Sequence, residues 1–168
     1  LFAPDGNVTV AEGITMASRV HSIYNGTEIK SVTGGKWYDM YIAYAKENGL
    51  IKDGQFTNYD RNIMRYEMAV MFANAMEKDY FTAKNDIKDI PDVAETEEYY
   101  DELMMLYKAG VVLGSDDYGN FFATNPIKRS ETAAIINRVA LPENRKSGTL
   151  KEYGDRTPAA YLIDDMSM

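Results

Sequence analysis

The sequence predicts a mainly α-helical protein built from repeated helix–loop–helix units that are joined by short irregular loops. Three observations support this. One motif occurs three times along the 168 residues. An apolar stripe with helical spacing follows every copy, and a second helical stripe ending in glycine precedes two of them.

The motif is a phenylalanine, a turn-rich loop, an aliphatic residue and a glutamate four positions later. Its copies occupy residues 2–12, 56–67 and 122–131, and their glutamates are Glu12, Glu67 and Glu131. We expect each glutamate in the first turn of a helix, where a negative charge suits the helix dipole and the carboxylate reaches back to free N–H groups.

The spacing from Thr9 to Glu12 fits a complete capping box. Met64 and Lys128 replace Thr9 in the later copies, so we expect the side-chain cap only in the first copy. Apolar residues four, five and eight positions beyond each glutamate form the stripe of the following helix. They are Met16, Ala17, Val20, Met71, Phe72, Ala75, Ile135, Ile136 and Val139.

The preceding helix is predicted from two matching sets of residues. Tyr38, Ile42, Ala45 and Gly49 correspond to Tyr99, Leu103, Leu106 and Gly110 at a constant offset. Spacings of four, seven and eleven describe one helix face, and the final glycine ends the helix. No such stripe precedes the first motif, so we expect the first unit to be truncated at its N-terminus.

The predicted organisation is one module over residues 1–145. Its parts are a partial first repeat at 1–28, a second repeat at 29–80 and a third at 85–145. Residues 115–120 predict a tight turn or small hairpin inside the third repeat. Residues 146–168 are interpreted as a linker or the start of a truncated following domain, with a strand beginning at 159–165; a frayed C-terminus is the alternative.

The composition disfavours several classes of function. The net charge is −8, which disfavours a nucleic-acid partner, and no apolar run is long enough to insert into a membrane. Without cysteine and with His21 as the only histidine, the chain has few groups for nucleophilic catalysis, so we predict no enzyme and no cofactor. His21 is interpreted as a residue at the edge of the core.

Two acidic groupings could bind calcium, but neither has EF-hand spacing, so we predict turn chemistry and no metal. They are Asp116, Asp117 and Asn120, and Asp53, Asn58 and Asp60. The acidic run at 95–102 could suggest paired glycosidase carboxylates. A solvated helix start explains it better, because acids there suit the dipole.

Taken in order, these motifs resemble the S-layer homology family, with three tandem repeats. Residues 90–93, Ile-Pro-Asp-Val, resemble the family's opening motif, and residues 49–56 resemble its first-helix end and loop. Residues 63–67 and 127–131, Ile-Met-Arg-Tyr-Glu and Ile-Lys-Arg-Ser-Glu, resemble its signature. The resemblance covers about residues 1–145.

The resemblance implies a pseudo-threefold helical bundle that anchors an exported protein non-covalently to the bacterial cell wall. Grooves between units would bind secondary cell-wall polysaccharide, often pyruvylated, with the signature arginine meeting a carboxylate. The implied location is extracellular, at the cell wall or S-layer. The glycan-binding residues implied are Arg65, Arg129, Trp37, Tyr38, Asp92, Tyr99, Gly49 and Gly110.

The chain departs from the family pattern at two positions. Val10 stands where the first signature arginine belongs, and Ser31 stands where the second repeat's opening aspartate belongs. We therefore expect fewer than three working grooves. Two alternatives stay open: each arginine could be a surface residue paired with a nearby carboxylate, and the module could mediate protein–protein assembly at the surface without binding glycan.

Overall fold

The computed structural model describes residues 3–151, which form a mainly helical bundle. The helices are α1 (Val10–Asn25), α2 (Asp39–Glu47), α3 (Arg65–Asn74), α4 (Tyr100–Ala109) and α5 (Arg129–Ala140), and Lys78–Tyr80 and Pro142–Asn144 are single 3-10 turns. Among these residues, β-structure is limited to three isolated bridges. The mainly α prediction is confirmed, while the predicted strand at 159–165 lies outside the described residues.

Helices α1, α3 and α5 each begin two residues before the motif glutamate. Each glutamate carboxylate accepts a hydrogen bond of 2.9 Å from the backbone N–H three residues earlier, at Thr9, Met64 and Lys128. The Thr9 hydroxyl also accepts a bond from the Glu12 N–H. Neither Met64 nor Lys128 gives a side-chain cap, so the predicted difference among the copies is confirmed.

Helices α2 and α4 bury the predicted stripe, and a glycine follows each helix. Leu103 and Leu106 are fully buried. Gly49 and Gly110 have φ of 71° and 78°, a left-handed conformation that glycine adopts without the steric cost of a Cβ. The predicted helix ends are therefore confirmed.

The last helix of one unit packs against the first helix of the next, α1 with α2 and α3 with α4. In the first pair the Ser18 hydroxyl donates to the Tyr41 carbonyl, and His21 Nδ1 lies 2.7 Å from the Tyr44 hydroxyl. His21 is half-buried, as predicted, and burial lowers its pKa. In the second pair the rings of Tyr66 and Tyr99 stack at 4.3 Å.

The three motif loops meet at the centre of the molecule. Their aliphatic residues Val8, Ile63 and Ile127 are at most 1% exposed. Val8 N–H donates to the Ile127 carbonyl, Ile127 N–H to that of Ile63, and Ile63 N–H to that of Val8. This closed cycle joins each motif to the other two. A pseudo-threefold relation among whole units stays a prediction.

The third loop contains the predicted tight turn. Ser115 N–H donates to the Asn120 carbonyl at 2.8 Å, and Asp116 accepts bonds from the backbone N–H groups of Tyr118 and Asn120. Burial opposes ionisation of Asp116, but these bonds and the Asn120 amide hold its pKa below the usual value. The acidic grouping at 116–120 therefore stabilises a turn.

One residue of the third motif was aligned wrongly. The buried phenylalanine of that loop is Phe121, which is fully buried, whereas Phe122 is 40% exposed. Phe121 lies ten positions before Glu131, as Phe2 does before Glu12, so the spacing of the first copy also identifies Phe121 as the equivalent residue.

Contacts with the bundle continue past residue 145. Lys146 N–H donates to the Gly110 carbonyl at 2.9 Å, Gly148 N–H to the Asn85 side chain at 3.0 Å, and Lys151 N–H to the Asp117 carbonyl at 3.0 Å. Residues 146–151 therefore pack on the third repeat. The module boundary near residue 145 stays a prediction.

Candidate functional site

The first residue of α3 is a buried arginine that joins the second unit to the third. Arg65 is 7% exposed. Its Nε donates to the Phe121 carbonyl at 2.7 Å, its guanidinium lies 5.0 Å from the centre of the Phe121 ring, and its Nη1 pairs with Glu131. Arg65 therefore makes three contacts with the third unit, two with Phe121 and one with Glu131.

The first residue of α5 makes the equivalent ion pair with more exposure. Arg129 Nη2 donates to Glu12 Oε1 at 2.7 Å, which joins the third unit to the first. The Arg129 side chain is 41% exposed. A guanidinium has five donors in a planar fork, so Arg129 retains capacity for another carboxylate.

Val10 occupies this position in α1 and is fully buried. Glu67, which an arginine there would reach, pairs instead with Arg61 of its own unit at 2.6 and 2.9 Å. The hydrogen bond to Glu67 raises the Arg61 pKa further, and its guanidinium lies 5.6 Å from the Phe56 ring. Arg61 thus replaces the missing arginine as the partner of the buried Glu67.

The first N–H groups of these helices are already used. Arg129 N–H donates to the Gly6 carbonyl and Ser130 N–H to that of Pro4, while Arg65 N–H donates to that of Asn125. These N–H groups are therefore not free to bind an anion, because the neighbouring loop supplies their acceptors. Any anion site here depends on side chains.

One groove runs between α1 and α5 and has a volume of about 280 Å³. We call it the α1–α5 groove. Its lining residues are Val8, Glu12, Thr15, Met16, Trp37, Arg129, Ala133 and Ile136. Trp37 is 60% exposed, so a large aromatic face and the Arg129 guanidinium border the same mainly apolar cleft.

A second groove of about 270 Å³ lies between the second and third units. We call it the Phe122 groove. Its lining residues are Asn7, Arg65, Ser115, Phe122, Asn125, Pro126, Lys128 and Glu131. Two cations and one carboxylate line it, although the protein as a whole is acidic.

Three of the residues expected to bind glycan line these grooves: Trp37, Arg129 and Arg65. Tyr38 does not, because it is 4% exposed and packs on the rings of Trp37 and Tyr59. Tyr99 packs on Tyr66, and burial, with Glu97 nearby, raises the Tyr99 pKa.

The remaining three predicted residues also line neither groove. Asp92 accepts 2.7 Å hydrogen bonds from the N–H groups of Phe121 and Phe122. Gly49 ends α2, and no atom lies within 4 Å of the position of a Cβ there. Gly110 is covered by the Lys146 backbone, since a Cβ would meet its carbonyl oxygen at 2.1 Å.

Sequence reasoning missed Lys128 and Phe122 as groove residues. Lys128 holds the place of the Thr9 cap, and Phe122 is the phenylalanine that the sequence pattern assigns to the start of the third motif. Of the two, only Lys128 carried a usable signal, because it adds a cation next to Arg129 in the third motif.

Residues 3–151 contain no group of three or more acidic or histidine side chains placed to hold a metal ion. In the same range, no helix combines the length and apolar character needed to cross a membrane.

Comparison with known proteins relates the chain to a surface protein. No family model matches the sequence. The chain is 27% identical to Cell surface glycoprotein 1 of Acetivibrio thermocellus over 98% of its own length. The matched stretch spans only 8% of that glycoprotein, so the similarity concerns a small part of a long surface protein.

Proposed function

We propose that this module anchors an exported protein to the bacterial cell wall by binding a carboxylate-bearing polysaccharide. The observation that carries the proposal is the α1–α5 groove, where an exposed tryptophan and a half-exposed arginine border one apolar cleft. The similarity to a cell-surface glycoprotein supports an extracellular location, as does the resemblance to the S-layer homology family.

The chemistry of the groove fits a pyruvylated sugar. Such a sugar has an apolar ring face, which suits the Trp37 indole, and a carboxylate, which suits the planar fork of Arg129. Glu12 fixes one edge of that guanidinium. The rest of the guanidinium is left to meet the ligand.

The first test is sedimentation with cell-wall sacculi of Acetivibrio thermocellus, before and after chemical removal of the wall polymer. We expect co-sedimentation only while the polymer is present. Retention on polymer-free sacculi, or by surface proteins alone, would support the alternative of a protein–protein assembly module, which the apolar lining of the groove would also suit.

The second test is calorimetry with purified wall polymer. Arg129→Ala and Trp37→Ala should each weaken affinity about tenfold or more, because a charge-assisted bond or an aromatic contact is lost. Lys78→Ala and Tyr24→Ala are matched controls, since both are exposed and line neither groove. Unchanged affinity in Arg129→Ala, Arg65→Ala and the double variant would refute glycan binding through these arginines.

A further inference from the structure

We infer that residues 28–35 form a flap that closes on Trp37 and fixes its indole at the rim of the α1–α5 groove. The flap is free to move because Ser31 replaces the aspartate that ties down the equivalent segment of the third unit. The motion itself goes beyond the proposed function, whereas its effect on ligand affinity rests on that function.

The flap is anchored at both ends and free between them. At one end Thr27 N–H donates to a carbonyl in the last turn of α1 at 3.0 Å. At the other end Lys36 N–H donates to Asp39 Oδ2 at 2.8 Å. Between these anchors, residues 28–35 neither donate nor accept a hydrogen bond within residues 3–151. A segment with so few bonds can change conformation at low cost in free energy.

The equivalent segment of the third unit is tied down. Ser31 and Val32 correspond to Asp92 and Val93 at the offset that relates α2 to α4. Asp92 accepts bonds from two N–H groups of its motif loop, and Val93 is only 7% exposed. Ser31 forms no hydrogen bond to the described part of the chain, and Val32 is 51% exposed. The missing carboxylate therefore accounts for the freedom of the flap.

The flap leaves an open cavity of about 350 Å³ in front of α2. Val32, Trp37 and Met40 supply apolar side chains to its lining. Trp37 also lines the α1–α5 groove, so one residue borders both spaces. Val32 and Trp37 gain free energy when they leave water for each other's surface, so closure brings Val32 onto the indole.

Gly34 is the hinge of the flap. Gly34 and Gly35 have φ of 77° and 86°. A Cβ at Gly35 would collide with the Asp39 carboxylate, which places Gly35 at the anchored end. A Cβ at Gly34 would meet no atom, so rotation at Gly34 displaces no neighbour, and glycine changes its φ at little cost.

Closure acts on the groove by ordering the indole. In the open form Trp37 is 60% exposed and makes edge contacts with the rings of Tyr38 and Tyr41, at 5.3 and 6.5 Å between centroids. A closed flap adds Val32 to these contacts and leaves the indole fewer orientations. A ligand that stacks on Trp37 then loses less side-chain entropy on binding, so closure raises affinity.

Trp37 is the only tryptophan of the chain, so its fluorescence reports the flap directly. Gly34→Ala penalises the left-handed φ of the open form and should shift the population towards the closed form about tenfold. We expect emission at shorter wavelength and weaker quenching by acrylamide. Gly54→Ala is the matched control, because Gly54 has φ of 73° and also faces open space. It should change neither signal.

A second pair of variants tests the contact that closes the flap. In the Gly34→Ala background, Val32→Ser removes the apolar side chain and should return the Trp37 emission to that of the original chain. Thr33→Ser is the control, since Thr33 is exposed in the same flap and does not line the cavity. It should leave the shifted emission in place.

Amide NMR relaxation dispersion of the ligand-free chain tests the motion and its cause. We expect exchange on the microsecond-to-millisecond timescale at residues 30–35. Ser31→Asp should restore a tie to the second motif loop and suppress this exchange, whereas Ser31→Ala should not. Exchange that persists in Ser31→Asp would overturn the missing carboxylate as the cause.

Calorimetry with purified wall polymer distinguishes the flap from the proposed function. Gly34→Ala should bind the polymer about fivefold more tightly than Gly54→Ala does, because its indole is ordered in advance. Equal affinities would overturn the coupling to the groove. Unchanged Trp37 emission in Gly34→Ala, with no exchange at residues 30–35, would overturn the flap and leave the proposed function standing. An absence of polymer binding in every variant would remove the proposed function, while the fluorescence and exchange data would still decide the flap.

Discussion

In the third unit, Asp92 bonds two backbone N–H groups of the motif loop, and Lys146 covers the glycine that ends α4. In the second unit, Ser31 is exposed where the aspartate would be, and Gly49 faces open space. The two units share one sequence motif and the same order of helices. The third unit has additional contacts around its loop, through Asp92 and Lys146. The motif therefore determines the scaffold, while residues outside it determine how tightly each loop is held.

The largest expected difference is between Gly110→Ala and Gly49→Ala. At Gly49 the added methyl meets no atom, so only the left-handed φ is penalised, by about 1–2 kcal/mol. At Gly110 the methyl would collide with the Lys146 carbonyl, so we expect a loss of about 3–4 kcal/mol in the free energy of unfolding. Urea denaturation measures both. Equal losses of unfolding free energy in the two variants would mean that residues 146–151 move aside without an energetic penalty and are not packed on the third unit.

The next comparison is between the two signature arginines. Arg65→Ala should lower the free energy of unfolding by about 3 kcal/mol, because it removes a buried guanidinium and leaves Glu131 and the Phe121 carbonyl without their donor. Arg129→Ala should lower it by about 1 kcal/mol or less, since that pair is partly solvated. A larger loss in Arg129→Ala would contradict the assignment of Arg65 as the structural arginine.

The last comparison concerns how the second unit neutralises its own glutamate. Arg61→Ala should cost about 2 kcal/mol, because Glu67 is buried and loses its bidentate partner. Val10→Arg should destabilise the original chain, where Arg61 already holds Glu67, but restore part of the loss in the Arg61→Ala background. A thermal denaturation cycle over the four proteins gives the coupling. If the two substitutions change the free energy of unfolding additively, the side chains at positions 10 and 61 do not both pair with the Glu67 carboxylate.

The helices were predictable because their signals are local. Apolar spacing, the first-turn glutamates and the glycines after α2 and α4 depend on residues within a few positions of one another, and these predictions were confirmed. Trp37 and Arg129 line one groove, and their binding role stays a prediction.

The features that the sequence did not reveal depend on contacts between units. Nothing near Arg65 in the sequence indicates that its guanidinium will form an ion pair with Glu131, which lies 66 positions away. The sequence also does not reveal that both oxygens of Asp92 accept hydrogen bonds from the loop 29 and 30 positions later, and its glycan-binding role stays a prediction. Arg61 replaces an arginine absent from another unit, a substitution that can be recognised only when the loops are seen together.

The cycle of Val8, Ile63 and Ile127 has a consequence for synthesis. Ribosomes release the chain from its N-terminus, so Val8 emerges long before Ile127 can donate to or accept from the ring. The nearby Arg129–Glu12 pair likewise spans 117 positions. Until the third motif emerges, the apolar side chains of Val8 and Ile63 stay exposed to solvent, and the backbone groups that pair with Ile127 lack that partner. Such long-range closure slows folding, so we expect the three motif loops to close together only after the third motif has left the ribosome.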